Sequence, residues 1–275
     1  VAFWGMYQWK ALNRFKAGIK RDEQLKADPI LQYEERQDVE LNQIMVNMNE
    51  NLNKRNHLYA LPWYLVIRVE NAGKTSLINR SGQNFVFSTV MRASGKKTEN
   101  PYSFDWWIGE ESVVIDPDGV LLTQGYNNED NDGQMERRLW MHCIEWLERT
   151  RSRRPLNGVV IAIDVAQLAS GTTSSRKAYA SLLRTRLREL METLSTRMPV
   201  YVTLTKMDLL HGFEPFFRHY PKSKRDEVMG FTFSLDSVDN LDKWLHDFSE
   251  DYSRFFERIK KSLPFALLYT RDNRE

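Results

Sequence analysis

The stretch LPWYLVIRVENAGKTSLINRSG, residues 61–82, decides how the fold of this chain is interpreted. An apolar strand runs into Gly73-Lys74-Thr75-Ser76 and then into a helix, which is the order of a phosphate-binding loop. In such a loop glycines turn backbone N–H groups toward phosphates, the lysine reaches the outer phosphates, and the hydroxyl binds magnesium. Gly73, Lys74, Thr75 and Ser76 are therefore candidate nucleotide-binding residues, and Thr75 is a candidate magnesium ligand.

The first half of this loop departs from the G-x-x-x-x-G-K-[ST] pattern. Arg68 stands where the first glycine belongs, so a positive φ at this position would carry a steric cost. Glu70 places a carboxylate inside the loop, where it would repel phosphates at close range. Pairing between Arg68 and Glu70 would plug the cavity from within. We expect both residues to block the site, which makes this a degenerate Walker A loop.

A second motif, Asp116-Pro117-Asp118-Gly119, ends a predicted strand and matches D-x-x-G. In GTPase-like folds its aspartate holds magnesium through water and its glycine N–H senses the terminal phosphate. Asp116 is therefore a candidate magnesium ligand, and Gly119 is a candidate nucleotide contact. Asp118 adds a negative charge where the terminal phosphate would lie, and Val120 stands where a glutamine would orient the attacking water. Both changes argue against hydrolysis, and Asp118 joins the residues expected to block the site.

A third motif, Thr205-Lys206-Met207-Asp208, ends another predicted strand and matches [NT]-K-x-D. Its aspartate can bind the edge of a guanine while its lysine supports the base, so Thr205, Lys206 and Asp208 are candidate nucleotide-binding residues. Three such motifs in this order, each at the end of a strand, are hard to obtain by accident. We expect Lys74, Asp116 and Asp208 to converge at one end of the sheet.

Apolar strands alternate with helices along the chain, which predicts a mostly parallel α/β sheet flanked by helices. The expected strands are 63–67, 158–164 and 199–208 with a hairpin at 104–116, and the expected helices are 137–149, 176–197 and 241–261. Apolar residues at spacings of three and four between positions 41 and 52 predict a further packing helix. The overall prediction is a membrane-proximal, helical N-terminal segment at 1–58. It is followed by a P-loop NTPase-like, small-GTPase-like α/β domain at 59–275 that ends in a C-terminal helix.

The composition of the chain argues against nucleic-acid binding, disulfide bonds and a structural metal site. The 275 residues carry 39 basic and 37 acidic side chains, a near-balance that argues against a nucleic-acid-binding protein. The single cysteine, Cys143, excludes an internal disulfide, and no metal-ligand spacing links it to the five histidines. The start VAFWGMYQW, followed by five basic residues, is typical of the cytoplasmic end of a membrane helix or of an ordinary amphipathic surface helix. The basic run at 149–154 is typical of a solvated helix end.

Several of these segments closely resemble the IcmF/TssM family of type VI secretion. They are LPWYLVI, AGKTSLIN, DWW, VVIDPDG, RRPLNGVVIAID and VYVTLTKMDLLHGFEPFF. The resemblance implies an NTPase-like domain on the cytoplasmic face of the bacterial inner membrane, attached through flanking transmembrane helices. It also implies other inner-membrane and baseplate subunits as partners, homo-oligomers and an architectural role. Many members have an intact loop and D-T-A-G, and this chain departs at Arg68, Glu70, Pro117 and Asp118.

Three functions remain open on this basis. The first, which we expect, is a structural domain that docks the membrane complex to baseplate and cytoplasmic components, without nucleic acid and without a cofactor. The second is an active GTPase or ATPase that uses GTP or ATP with magnesium to drive or gate assembly. The third is a nucleotide-binding switch without hydrolysis, which needs only Lys74, Thr75 and Asp208.

Overall fold

The computed structural model of the protein describes residues 27–52, 57–68, 102–125, 132–218, 220–225, 227–234 and 239–272, together with a few isolated positions. The chain forms two compact units, Val1–Thr205 and Lys206–Glu275. Among the described helices, none combines the length and the apolar content that crossing a membrane requires.

The first unit is built from strands and helices that alternate along much of the chain. Its described strands are β1 (Trp63–Arg68), β2 (Phe104–Ile108), β3 (Val113–Pro117), β4 (Gly158–Asp164) and β5 (Val200–Thr205). Its described helices are α1 (Leu31–Leu52), α2 (His57–Ala60), α3 (Gly119–Thr123), α4 (Gln134–Thr150), α5 (Val165–Ser170) and α6 (Thr173–Thr193).

The five strands form one sheet in the order β2-β3-β1-β4-β5. Strands β3, β1, β4 and β5 are parallel, and β2 pairs with β3 antiparallel. The predicted mostly parallel sheet and its antiparallel hairpin strand are therefore confirmed. Because the four parallel strands point the same way, their carboxyl ends lie along one edge of the sheet, where ligands bind in open α/β folds.

The core explains why these segments are strands. β1 and β4 are apolar over most of their length, as expected for strands covered on both faces. Trp63, Trp106 and Trp146 are buried and pack edge to face, with ring centroids 5.3 and 6.0 Å apart. Such aromatic pairs add stability beyond the apolar area that they bury. The sheet and α4 thus share one continuous core.

The predicted packing helix is present as α1 and lies against α4. Its apolar stripe buries Leu41 and Met48. Arg138 on α4 donates to Glu34 at 2.7 Å and also pairs with Asp28 at the start of α1. Apolar contact and ion pairs together hold this N-terminal helix to the α/β core.

In its described residues the second unit contains three helices and the segments between them. They are α7 (Phe213–Arg218), α8 (Lys222–Arg225) and the long α9 (Leu241–Asp272), after a 3₁₀ turn at Met207–Leu209. Aromatic side chains dominate its packing: Phe231 and Phe233 contact Phe248 on α9, with centroids 6.3 and 6.0 Å away. On α9 itself, Trp244, Phe248 and Tyr252 stack at intervals of four residues.

Candidate functional site

Four polar side chains lie at the carboxyl edge of the sheet. β1 ends at Arg68, β4 at Asp164 and β5 at Thr205, and Asp116 is the next-to-last residue of β3. β1 lies between β3 and β4 in the sheet, so Arg68 is central in this row. This edge is where the sequence motifs predicted a nucleotide.

Arg68 and Asp116 form a buried ion pair at this edge. The guanidinium Nε donates to one carboxylate oxygen of Asp116 at 2.8 Å, and a second nitrogen donates to the other oxygen at 3.3 Å. Arg68 is 6% exposed and Asp116 is 1% exposed. A two-point contact of this kind uses the planar fork of arginine on both oxygens of the acid. The sequence predicted Glu70 as the partner of Arg68, and Glu70 lies outside the described residues.

This pair changes the chemistry that Asp116 can perform. In a nucleotide site the aspartate would face magnesium or its water shell. Here a guanidinium occupies both carboxylate oxygens and supplies the positive charge inside the fold. Asp116 also makes a further interaction besides Arg68. The observed donor set therefore fits an internal ion pair better than a magnesium ligand.

Asp118 and Gly119 form the start of helix α3. The Asp118 carboxylate accepts a hydrogen bond from the backbone N–H of Val120 at 3.1 Å, so it caps the helix. Gly119 is buried, and Leu121 and Leu122 are buried in the core directly after it. The segment that follows the D-x-x-G motif is thus a capped, packed helix. That Asp118 also blocks a phosphate position stays a prediction.

The residues of the third motif lie at the end of β5 and directly after it. Thr205 is buried at the end of β5, where its hydroxyl donates to the carbonyl of Ile163 at 3.1 Å. Lys206 has a left-handed backbone with φ of 57°, and Asp208 lies in the 3₁₀ turn of the second unit. Gly73, Lys74, Thr75 and Ser76 lie outside the described residues. The convergence of Lys74, Asp116 and Asp208 therefore stays a prediction.

Sequence inspection missed Asp164, which joins Asp116 at the carboxyl edge. Its carboxylate accepts from the N–H groups of Ala166 and Gln167 at 2.9 and 3.1 Å and so caps α5. The available signal was an aspartate directly after the apolar run of β4, followed by a short helix. The caps formed by Asp118 and Asp164 show that carboxylates at this edge bind their own backbone.

The interpretation of the basic run at 149–154 as a solvated helix end is wrong for Arg151. This side chain is 1% exposed, and its guanidinium lies 4.3 Å from the ring centre of Trp63 and 5.1 Å from that of Tyr59. It donates to the carbonyl of Pro155 at 3.2 Å. Burial lowers the pKa of Arg151 to about 10. Stacking on two rings compensates part of the desolvation that this burial imposes.

The Pro155-Leu156-Asn157-Gly158 segment connects α4 and β4 to the start of β1. The Asn157 side-chain oxygen accepts a hydrogen bond from the backbone N–H of Trp63 at 3.0 Å. The backbone N–H of Asn157 donates to the carbonyl of Trp63 at 2.8 Å. A Cβ at Gly158 would lie 3.0 Å from the Tyr201 ring and 3.2 Å from the Pro199 carbonyl. Only glycine fits there without displacement, so this motif is structural.

Comparison with known proteins gives two relatives and one family. Residues 133–275 match the family model described as the IcmF-related N-terminal domain. The type VI secretion system component TssM1 of Pseudomonas aeruginosa is 34% identical over 220 residues, which are 80% of this chain and 20% of that protein. GTPase Der of Alkaliphilus oremlandii is 25% identical over 204 residues, which are 74% of this chain and 40% of that protein. The chain thus spans less than half of either relative, and no solved structure gives a significant match.

Proposed function

The chain belongs to the IcmF/TssM family of type VI secretion system subunits, and on that premise we propose that it is a structural P-loop NTPase-like domain with a degenerate nucleotide site. In this proposal the domain lies on the cytoplasmic face of the inner membrane. It docks the membrane complex to baseplate and cytoplasmic components and associates with other inner-membrane subunits. Neither GTP nor ATP is hydrolysed, and no cofactor is needed.

The order of the three motifs along the chain supports a P-loop NTPase-like fold. The three motifs occur in the sequence order of a GTPase, and the second and third end on parallel strands of one sheet. The similarity to GTPase Der over 74% of the chain supports the same origin. We therefore propose that the domain has the fold of a nucleotide-binding protein but no longer binds a nucleotide.

The observation that carries the loss of function is the Arg68–Asp116 ion pair. Breaking a buried pair costs about 3–5 kcal/mol, because one charge is left in the core without compensation. A magnesium ion that recruits Asp116 would have to displace Arg68 and meet that cost. With Arg68 in place of the first glycine, the same substitution also removes backbone freedom from the loop. One residue thus disables both the metal ligand and the phosphate cradle.

The helix after Asp116 supports the same conclusion. A nucleotide switch needs the segment after the D-x-x-G motif to change conformation with the terminal phosphate. Here Leu121 and Leu122 are fully buried in α3. Exposing both would cost about 3–6 kcal/mol at about 1.5–3 kcal/mol for each side chain. The upper end of this range reaches the difference in affinity, about 5.5 kcal/mol, that a ligand needs to move a two-state equilibrium from 1:99 to 99:1.

The alternative function is an active or switch-like GTPase or ATPase that drives or gates assembly. It is favoured by the intact Gly73-Lys74-Thr75 half of the loop and by the relationship to a protein named as a GTPase. In this alternative Arg68 would release Asp116 when magnesium and nucleotide bind. The two functions differ in whether Lys74 binds a nucleotide phosphate.

The test is a Lys74→Ala substitution in the full-length protein, scored by secretion and by assembly of the membrane complex. The matched control is Lys177→Ala, which removes the same charge from an exposed position on α6. A structural domain predicts that both variants secrete like the parent. If Lys74→Ala alone abolishes secretion and nucleotide turnover, the active-site alternative replaces the proposal.

A further inference from the structure

The second unit contains an open groove between α7 and α9 with a volume of about 450 Å³. This volume lies within the range of ligand sites, about 300–1,000 Å³. Its walls are mostly aromatic and come from one face of each helical segment, since the residues recur at spacings of three and four. These residues are Phe213, Phe216, Phe217 and Tyr220 on one side, with Phe255 and Ile259 on the other. We call this feature the aromatic groove.

The rings on the α7 side pack against one another and still leave apolar surface in contact with solvent. The ring centroid of Phe217 lies 4.8 Å from that of Phe213, 4.7 Å from that of Phe216 and 5.6 Å from that of Tyr220. All four side chains are nonetheless only half-buried. An apolar group that covers such rings releases water from them, which favours binding.

The charged residues that line the aromatic groove are three cations and one carboxylate. Lys224 pairs with Glu227 at 2.7 Å, so these two charges neutralise each other. Arg225 and Arg258 remain, and neither has an acidic side-chain partner in the part of the chain that the structure describes. The guanidinium of Arg258 lies 5.8 Å from the ring centre of Phe255, which holds it at the groove wall. The groove therefore presents two cations beside its apolar walls.

One wall of the aromatic groove has backbone groups that are open to a ligand. Residues 227–230 form neither helix nor strand. Among the described residues, the backbone N–H and C=O groups of Val228, Met229 and Gly230 find no hydrogen-bond partner. Val228 is 96% exposed, and a Cβ at Gly230 would meet no described atom within 4 Å. An extended peptide can pair with such a segment through main-chain hydrogen bonds, as peptides do at an open sheet edge.

We propose that the aromatic groove is a docking site for an acidic peptide segment of another protein, with one large apolar anchor residue. The anchor enters between the rings, the flanking carboxylates pair with Arg225 and Arg258, and the peptide backbone pairs with residues 228–230. The site gives the docking role proposed above, on which this inference rests, a partner of defined chemistry.

The charge of the groove selects an acidic partner. Residues 206–275 carry 12 basic and 13 acidic side chains, so the positive charge is local to the groove and is not an average property of the unit. Complementary charge of this kind orients a ligand and excludes basic ones. A phospholipid also combines an apolar chain with an anion, but its acyl chain has no donor or acceptor for the open backbone groups. The groove therefore favours a peptide.

Fluorescence anisotropy with the full 275-residue chain tests the site. The probe is a labelled library of hexapeptides in which Asp and Glu flank a central Phe, Trp or Leu. We expect the best members to bind with dissociation constants of about 10–100 µM, and to lose about tenfold or more when serine replaces the anchor or lysine replaces the acids. If no member binds more tightly than about 1 mM, or if the lysine peptides bind equally well, the proposal is overturned.

Charge-reversed variants locate the contact. Arg225→Glu/Arg258→Glu should weaken binding of the best acidic peptide by about tenfold or more. The matched control is Lys222→Glu/Lys261→Glu, which makes the same change of net charge at exposed positions outside the groove lining. The control should weaken binding by less than about threefold, because it alters only the long-range attraction. Equal losses in the two variants would show non-specific attraction and overturn the proposal.

A steric variant tests whether the groove itself holds the peptide. Gly230→Leu places a side chain in the open space at the groove wall, and Gly230 does not have the positive φ that would strain it. This variant should abolish peptide binding and leave the circular dichroism spectrum of the chain unchanged. A folded Gly230→Leu chain that binds the peptide like the parent contradicts the assigned position.

Two further measurements distinguish the peptide from a lipid and this site from the nucleotide site. Vesicles of phosphatidylglycerol should not displace the bound peptide, and displacement that Arg225→Glu/Arg258→Glu abolishes would assign the groove to a lipid and overturn the proposal. In the full-length protein this double variant should lower secretion, whereas Lys74→Ala should not. Lack of peptide binding would refute the docking site and leave the nucleotide claim intact, while loss of secretion in Lys74→Ala would refute that claim without changing peptide affinity.

Discussion

Removing Arg68 should destabilise the first unit more than any exposed ion-pair substitution. In Arg68→Met the apolar part of the side chain is retained and the guanidinium is lost, which leaves Asp116, 1% exposed, as a buried carboxylate without its main partner. Loss of one member of a buried pair costs about 3–5 kcal/mol in unfolding free energy. For a unit of this size the midpoint of thermal unfolding should fall by roughly 6–20 °C.

The double variant Arg68→Met/Asp116→Leu distinguishes two contributions to the loss of stability. One is the cost of leaving an unpaired charge in the core, and the other is the loss of the contact itself. Because both charges are then absent, it should be more stable than either single variant. Asp116 makes a further interaction, so some loss relative to the parent is expected to remain. Arg184→Met, at an exposed position on α6, is the control and should change stability by less than about 0.5 kcal/mol.

Urea unfolding followed by tryptophan fluorescence measures these differences. The signal reports on the first unit, which contains Trp63, Trp106, Trp107, Trp140 and Trp146 in its described part, whereas the second unit contributes Trp244. A cooperative transition then gives the free energy of unfolding. A loss below about 1 kcal/mol for Arg68→Met, the range of solvent-exposed pairs, would refute the reasoning, since Asp116 would then be available to a metal ion.

Further expectations concern the helices around the sheet. Arg151→Lys keeps the charge but loses the planar stack on Trp63, so the first unit should unfold at lower urea by about 1–2 kcal/mol. Asp118→Ala removes the cap of α3 and should cost about 1 kcal/mol, measured in the same way. Arg138→Met should speed hydrogen exchange in α1 without affecting the sheet. Because the hydrogen bond from Arg138 lowers the pKa of Asp28 below 3.8, protection of α1 should be full at neutral pH and fall only as the pH drops below that value.

The sequence predicted the sheet well because buried parallel strands are continuous apolar runs. The limits of β4 were predicted without error, since GVVIAID is bounded by a glycine and an aspartate that caps the next helix. The end of α9 was predicted at Lys261, before Pro264. Proline usually ends a helix, because it lacks the N–H donor and its ring clashes with the preceding turn. Here the helix continues to Asp272.

Less of the candidate site than of the sheet could be predicted from the sequence. Motifs identified Asp116 and Arg68 separately, but their pairing joins residues 48 positions apart and depends on strand order. Likewise, nothing in a run of four arginines shows that Arg151 is the one that stacks on Tyr59 and Trp63. Charge patterns report exposure on average, whereas the partners of a buried charge are set by tertiary packing.

Calorimetric titration of the purified chain with magnesium–GTP and magnesium–ATP tests the degenerate site most directly. We predict no binding heat and no change in stability, whereas a ligand present at about 100 times its dissociation constant would add about 2.7 kcal/mol. The variant Arg68→Gly/Glu70→Ala, which restores a glycine and removes the loop carboxylate, should gain affinity. Saturable binding to the parent chain, abolished by Lys74→Ala and accompanied by hydrolysis, would contradict the account.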